Sequence, residues 1–173
     1  GKVASSTASW MAGGDFAGNL WEGTLHGEWS YTDPNIRTPF WKAGLGYDYT
    51  FASDARLAWL KDVAVVIEYS HNGAGALDTA RYDFNSLFTG REVALARNYA
   101  GFTFSRDIHP LLKLELSAIA NLDDRSHFVS PSLQWNALND LYLTGGFQRF
   151  GGQRTAEFGR APNIAFLQAQ FYF

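Results

Sequence analysis

Residues 164–173 read IAFLQAQFYF, and this stretch decides the fold class. Apolar side chains occupy every second position from Ala165 to Phe173, whereas Gln168 and Gln170 between them are polar. A period of two places successive side chains on opposite faces of an extended strand. The segment is therefore predicted to be a β-strand with one apolar and one polar face. The three aromatic residues that end it are Phe171, Tyr172 and Phe173.

Seven earlier segments alternate in the same way, and Gly, Pro, Asn and Asp residues separate several of them. They are residues 20–31, 40–51, 63–70, 98–105, 112–121, 129–137 and 141–148. Residues 2–12 alternate more weakly, and the composition of residues 13–19 (GGDFAGN) predicts a turn. Residues 1–19 are accordingly expected to be an N-terminal extension or an extra strand of a single domain that covers residues 1–173.

The connections between these segments differ in length. Short turns are predicted at His109-Pro110, at Asp123-Asp124-Arg125-Ser126 and at Asn139-Asp140, and Asp33-Pro34-Asn35 interrupts the alternation after residue 31. Residues 52–62 are predicted to be a link with one helical turn. Residues 72–96 and 151–163 are predicted to be longer loops, and a loop as long as the first is usually functional or disordered.

Composition excludes several classes of protein. The 173 residues include no Cys, so there is neither a disulfide framework nor a thiolate metal site, and no cofactor is indicated. The net charge of −3 comes from scattered charges, which gives no nucleic-acid-binding patch. No run approaches the roughly 18 apolar residues that a membrane helix needs. Aromatic residues make up 16% of the chain, which is high for a soluble core.

The last strand resembles that of Gram-negative outer-membrane β-barrel proteins, which ends on a C-terminal Phe with aromatic residues at alternate positions before it. The resemblance implies that Phe171, Tyr172 and Phe173 form the signal read by the barrel-assembly machinery, and that this strand closes against the first. It also implies location in the bacterial outer membrane, in contact with its lipid and lipopolysaccharide. Four further stretches resemble the C-terminal portion of porin-like proteins. They are Arg97-Asn98-Tyr99, His109-Pro110-Leu111-Leu112, Asn121-Leu122-Asp123-Asp124 and Ser130-Pro131-Ser132.

The expected fold is an all-β antiparallel transmembrane β-barrel of about eight strands, or the C-terminal part of a larger barrel that other segments or subunits complete. The alternative is a soluble barrel of lipocalin type with its apolar face inward. Aromatic residues near strand ends, such as Trp41 and Trp135, favour the membrane barrel, whose girdles lie at the two interfaces. A periplasmic C-terminus places the His109-Pro110 turn, the Asn139-Asp140 turn and the 52–62 link in the periplasm and the two long loops outside.

If the polar face lines the lumen, its ionisable residues are candidates for the solute path or for internal salt bridges. They are Glu22, His26, Glu28, Lys42, Asp48, Glu68, Lys113 and Glu115. Salt bridges are the expected role of each individual residue. The five carboxylates against two lysines predict a mild preference for cations in an open pore.

The expected function is that of a non-enzymatic porin or channel for small solutes. A closed narrow barrel with a structural or loop-mediated binding role is the alternative, and a lipid A-modifying enzyme is the third hypothesis. The nearest approach to a catalytic set is Ser70-His71 beside Glu68. Adjacent residues of a strand point to opposite faces, so Ser70 and His71 are not expected to act as nucleophile and base.

Overall fold

The protein is all-β, and its nine strands form one antiparallel sheet. The computed structural model describes residues 9–34, 38–52, 55–90 and 92–172. The strands are β1 (Trp10–Leu20), β2 (Gly23–Asp33), β3 (Phe40–Thr50), β4 (Val63–Asn72), β5 (Asn98–His109), β6 (Leu112–Asn121), β7 (His127–Leu138), β8 (Leu141–Gly151) and β9 (Ile164–Phe171). The helical segments are α1 (Phe84–Phe88) and the 3₁₀ turns Ala58–Leu60, Thr79–Arg81 and Phe158–Arg160. All eight alternating segments are confirmed as strands, as is the helical turn in the 52–62 link.

The predicted turn at residues 13–19 is wrong, because these residues lie inside β1. β1 pairs with β2 in an unbroken register from Trp10 opposite Asp33 to Leu20 opposite Gly23. Gly13 serves close packing here, since a Cβ at that position would lie 2.7 Å from the carbonyl oxygen of Trp29. The turn itself follows β1 at Trp21 and Glu22. Most of the predicted strand at residues 2–12, and Phe173, lie outside the described residues.

The sheet is a simple meander in the order β1 to β9, and it is not closed into a barrel. Each strand is antiparallel to the next, so β1 and β9 run in the same direction. These two strands therefore cannot pair with each other in an antiparallel way to close the sheet into a barrel. The expected closure of the last strand against the first, in a barrel of about eight strands, is wrong for this chain.

The connections divide between the two ends of the sheet. One end, the turn end, carries residues 21–22, 51–62, 110–111 and 139–140. The other, the loop end, carries residues 34–39, 73–97, 122–126 and 152–163. The Asn139-Asp140 turn, the His109-Pro110 turn and the 52–62 link thus share one end, as predicted. Which compartment each end faces stays a prediction.

The apolar face of the sheet is largely uncovered. Ile67, Leu167 and Trp135 on this face are 58%, 80% and 47% exposed. The most buried side chains lie instead mainly at the loop end, where Leu95, Tyr99, Asn121 and Glu157 are each less than 9% exposed. The described part of the chain contains no helix that is long and apolar enough to cross a membrane. The sheet therefore lacks the sandwiched core of a soluble β-protein.

Candidate functional site

The loop between β4 and β5 carries the short helix α1, which a polar cap stabilises. The Asp83 carboxylate accepts hydrogen bonds from the Ser86 backbone N–H (3.1 Å) and hydroxyl (2.6 Å). Such a cap satisfies donors that a helix start leaves without partners, and it gives this five-residue helix a defined start. Asp78 caps the preceding 3₁₀ turn, Thr79–Arg81, in the same way by accepting from the backbone N–H of Ala80 at 3.0 Å.

The two ends of this loop are fixed to each other. The side chain of Asn72, at the end of β4, is buried, and its amide N–H groups point at the carbonyls of Ala94 and Ala96, both at 3.4 Å. The backbone N–H of Ala76 donates to the carbonyl of Leu95 at 2.9 Å. The guanidinium of Arg97 donates to the carbonyl of Gly75 at 2.8 Å. The loop is therefore closed at its base.

Glu157, from the loop between β8 and β9, joins both long loops to the sheet. Its carboxylate accepts hydrogen bonds from the Tyr99 hydroxyl (2.6 Å), the Asn121 amide (2.8 Å) and the backbone N–H of Leu95 (3.1 Å). The Asn121 amide also donates to the hydroxyl of Tyr82 at 3.2 Å. We call Tyr82, Leu95, Tyr99, Asn121 and Glu157 the loop-end cluster. Burial raises the pKa of Tyr82 above its usual range, so this phenol stays protonated at a pH where an exposed tyrosine would ionise.

The turn between β6 and β7 is hydrogen-bonded to the segments that carry the loop-end cluster. The carboxylate of Asp124 accepts from the backbone N–H of Glu157 at 2.8 Å and from that of Ser126 at 2.7 Å. The carboxylate of Asp123 accepts from the backbone N–H groups of Arg97 (2.8 Å) and Asn98 (2.9 Å). Three of the four connections at this end, residues 73–97, 122–126 and 152–163, are therefore hydrogen-bonded to one another and form one rim.

A cavity of about 1100 Å³ lies between the polar face of the sheet and this rim. Residues from β1 to β6 and from β8 line it together with the two loops, so the sheet is curved enough to surround it. A smaller space of about 500 Å³ shares part of this lining and extends past Lys42. A cavity of this size with a few polar groups is the usual form of a small-molecule site.

Carboxylates and an imidazole line the sheet side of the cavity. Asp15 and Glu28 are paired neighbours in the register of β1 and β2. His26 lies two residues before Glu28 in β2, on the same face. Its Nδ1 lies 3.0 Å from an Asp48 oxygen and its Nε2 lies 3.6 Å from a Glu68 oxygen. Gly46 makes room for this imidazole, because a Cβ there would collide with the ring. Both ring nitrogens thus face carboxylates.

Apolar side chains line the loop side of the cavity. Phe84, Leu87 and Phe88 come from α1, and Val93 follows them in the same loop. Phe88 and Val93 are 81% and 87% exposed, so they face open space without packing on the protein. The guanidinium of Arg160 lies 3.8 Å from the ring of Phe84, and its Nε donates to the Arg154 carbonyl at 3.0 Å. The cavity therefore has an acidic wall and an apolar wall.

The predicted polar-face residues fall into separate groups. His26, Asp48 and Glu68 meet in one group, and Glu28 lies in the adjoining row beside Gly44. Toward the turn end, Lys113 pairs with Glu115 at 2.7 Å. The remaining two stand apart. Lys42 lies 5.7 Å from the ring of Phe40, and Glu22 lies in the β1–β2 turn, where it accepts from the Tyr49 hydroxyl at 3.0 Å.

Sequence reasoning missed Asp15, Glu157 and the apolar residues of α1. Asp15 fell in the stretch that was predicted to be a turn. Glu157 is the one carboxylate in residues 151–163, and that isolation in a polar loop was the only available signal. The proposed separation of Ser70 and His71 is confirmed. Ser70 lines the cavity, whereas His71 stacks on Trp41 with 4.3 Å between ring centroids.

The described residues include no group of three or more His, Asp or Glu side chains placed to hold a metal ion. No family model, curated protein or solved structure matches the chain. Function is therefore argued from the chain's own residues.

Proposed function

We propose that this chain is a membrane-spanning part of a bacterial outer-membrane β-barrel of porin or channel type. The observation that carries the proposal is the division of the sheet into two faces. The apolar face is largely uncovered, whereas the cavity and the charges that line it lie on the polar side. A monomeric soluble protein rarely exposes so large a continuous apolar surface. A bilayer removes that surface from water and leaves the polar face on a water-filled lumen.

Strand length fits a bilayer. Most strands have 10 to 12 residues. At about 3.3 Å per residue and a tilt of about 45°, eleven residues rise about 25 Å, which is the height of the apolar band on such barrels.

The positions of aromatic residues give independent support. On the apolar face, Trp10, Tyr31 and Trp41 lie toward the loop end, and the rings of Trp10 and Tyr31 are 5.2 Å apart. Trp135 and Phe171 lie toward the turn end of the same face. Phe16 and Phe102 lie in mid-strand on this face, so aromatic residues are not confined to its two ends. Trp and Tyr toward both ends are what the two interfaces of a membrane favour.

The two edge strands require completion. β1 and β9 each have a side without a described strand partner, and exposed edges are not tolerated in hydrocarbon. Because β1 and β9 run in the same direction, an antiparallel wall needs an odd number of further strands between them. We therefore treat the chain as part of a wider barrel, whose remaining strands come from other segments or subunits.

The polar face is then the wall of a solute path, and the long loop with α1 narrows it. No covalent chemistry is assigned, because both nitrogens of His26 face carboxylates and the His71 imidazole is stacked on Trp41, away from Ser70. The expected surroundings are outer-membrane lipid and lipopolysaccharide, and the barrel-assembly machinery would receive the aromatic end of β9.

The test is single-channel conductance of the protein extracted from outer membranes in a mild detergent and placed in planar bilayers. Extraction keeps whatever strands or subunits complete the wall. Heat-modifiable migration in gels is the folding control. Steady openings with a cation-selective reversal potential are expected. A folded, inserted protein that passes no current would refute solute passage and would favour a closed barrel that acts through its outer loops.

A further inference from the structure

The two walls of the cavity differ in chemistry. Asp15, Glu28 and Glu68 are on the sheet side, and Phe84, Leu87 and Phe88 are on the loop side. A purely ionic path needs no apolar wall, and an apolar ligand needs no carboxylates. The combination matches a ligand with a charged end and an apolar end.

The sign of that charge follows from the cations near the site. Among the described residues, His26 alone is within ion-pair distance of this wall, where it contacts Asp48 and Glu68. Lys42 lines the adjoining smaller space with Asp15 and Glu28, and its Nζ lies over the ring of Phe40. Asp15 and Glu28 form none of the described ion pairs, and Arg160 lies over Phe84 on the opposite wall. The sheet side of the cavity therefore carries more negative than positive charge.

We propose that this cavity binds organic cations that carry an aromatic or similar apolar group. The inference rests on the proposed function and names its substrate class. The cationic end lies against Asp15 and Glu28, and the apolar end lies against Phe88 and Val93. Both of these apolar side chains are more than 80% exposed, so they have surface for a ligand to cover. A volume of about 1100 Å³ admits a molecule of drug size.

The experiment is calorimetric titration of the protein, extracted as above, with three small water-soluble probes. Benzyltrimethylammonium carries both features, tetramethylammonium carries only the charge, and benzenesulfonate carries the ring with the opposite charge. Covering a phenyl group is worth a factor of about ten or more in affinity, so benzyltrimethylammonium should exceed tetramethylammonium by that factor. Benzenesulfonate should bind more weakly still.

Substitutions then test which wall of the cavity binds each end of the ligand. Glu28→Gln and Asp15→Asn should each weaken benzyltrimethylammonium about three- to fivefold, the effect of one partly exposed charge pair. Phe88→Ala should reduce its advantage over tetramethylammonium. Glu115→Gln is the matched control, since this carboxylate lies on the same face near the turn end, pairs with Lys113 and does not line the cavity.

Two results would overturn the proposal. One is equal binding of benzyltrimethylammonium and benzenesulfonate, and the other is equal binding of benzyltrimethylammonium and tetramethylammonium. Selective binding by a protein that passes no current would uphold this inference while refuting solute passage. Current without selective binding would do the reverse.

Discussion

Glu157→Ala is expected to release both long loops from the rim of the sheet while leaving the strands folded. The side chain is 8% exposed, and its carboxylate is the acceptor of hydrogen bonds from Tyr99, Asn121 and Leu95. Alanine leaves these donors buried and without their acceptor. An unsatisfied buried donor costs more than the hydrogen bond itself contributes when made.

The magnitude follows from counting these bonds. A hydrogen bond to a charged group contributes about 1.5–3 kcal/mol, so three at the lower value give about 4.5 kcal/mol. Tenfold in an equilibrium constant is about 1.4 kcal/mol, so the opening equilibrium of the loops should rise by about a thousandfold. Glu157→Gln keeps one acceptor oxygen, which can serve either Leu95 or the pair Tyr99 and Asn121 but not all three, so its effect should be intermediate.

Hydrogen exchange read by mass spectrometry measures this opening directly. Peptides that contain Leu95 and Ala96 should exchange about a thousandfold faster in Glu157→Ala, whereas peptides from β6 and β7 should stay protected. Glu92→Ala is the control, because this carboxylate belongs to the same loop and accepts none of the three hydrogen bonds. Unchanged protection at Leu95 in Glu157→Ala would refute the role assigned to the loop-end cluster.

Two further predictions concern the sheet. Leu167→Lys, on the apolar face, should oppose insertion into bilayers by about 2–4 kcal/mol, whereas Gln168→Lys at the next position should insert normally; equal behaviour in vesicle flotation would contradict a lipid-facing apolar side. Because the chain has no Cys, pairs of cysteines can be introduced without interference, one at Ala17 in β1 and the other at Phe166, Gln168 or Gln170 in β9. Each pair is then tested for a disulfide in the extracted protein. None should form, since a disulfide needs Cα atoms within about 7 Å and further strands should separate these edges.

The strands were predictable because their signal is local. Alternation in β9 depends only on neighbours such as Leu167 and Gln168, and each strand end carries its own turn residues. β1 was missed over residues 13–19, where glycine and asparagine have the composition of a turn. What makes Gly13 part of a strand is the nearby backbone of Trp29, sixteen positions later in the sequence.

The candidate site was predictable only in part, for the same reason. His26, Asp48 and Glu68 share a face by alternation, so their strands bring them together once the register is set. The loop-end cluster has no such periodicity. Glu157 and the backbone of Leu95 are 62 positions apart in the sequence, and Tyr82 belongs to a loop with weak patterning. No pattern within either loop specifies that contact.

The surface that stabilises the sheet and the contacts that order the loops lie in different parts of the molecule. Few side chains are buried against protein, and of these Leu95, Tyr99, Asn121 and Glu157 lie at the loop end. Desolvation of the apolar face must then come from outside the chain, which is the role we assign to lipid. A charge at Leu167 should therefore impair membrane insertion whether or not the loops are held by Glu157. Loss of Glu157 should release the loops while the sheet still inserts into the membrane. Glu157→Ala could instead abolish insertion as well. That result would mean that the strands cannot fold without the hydrogen-bonded rim, and it would rule out loops that open independently of the sheet.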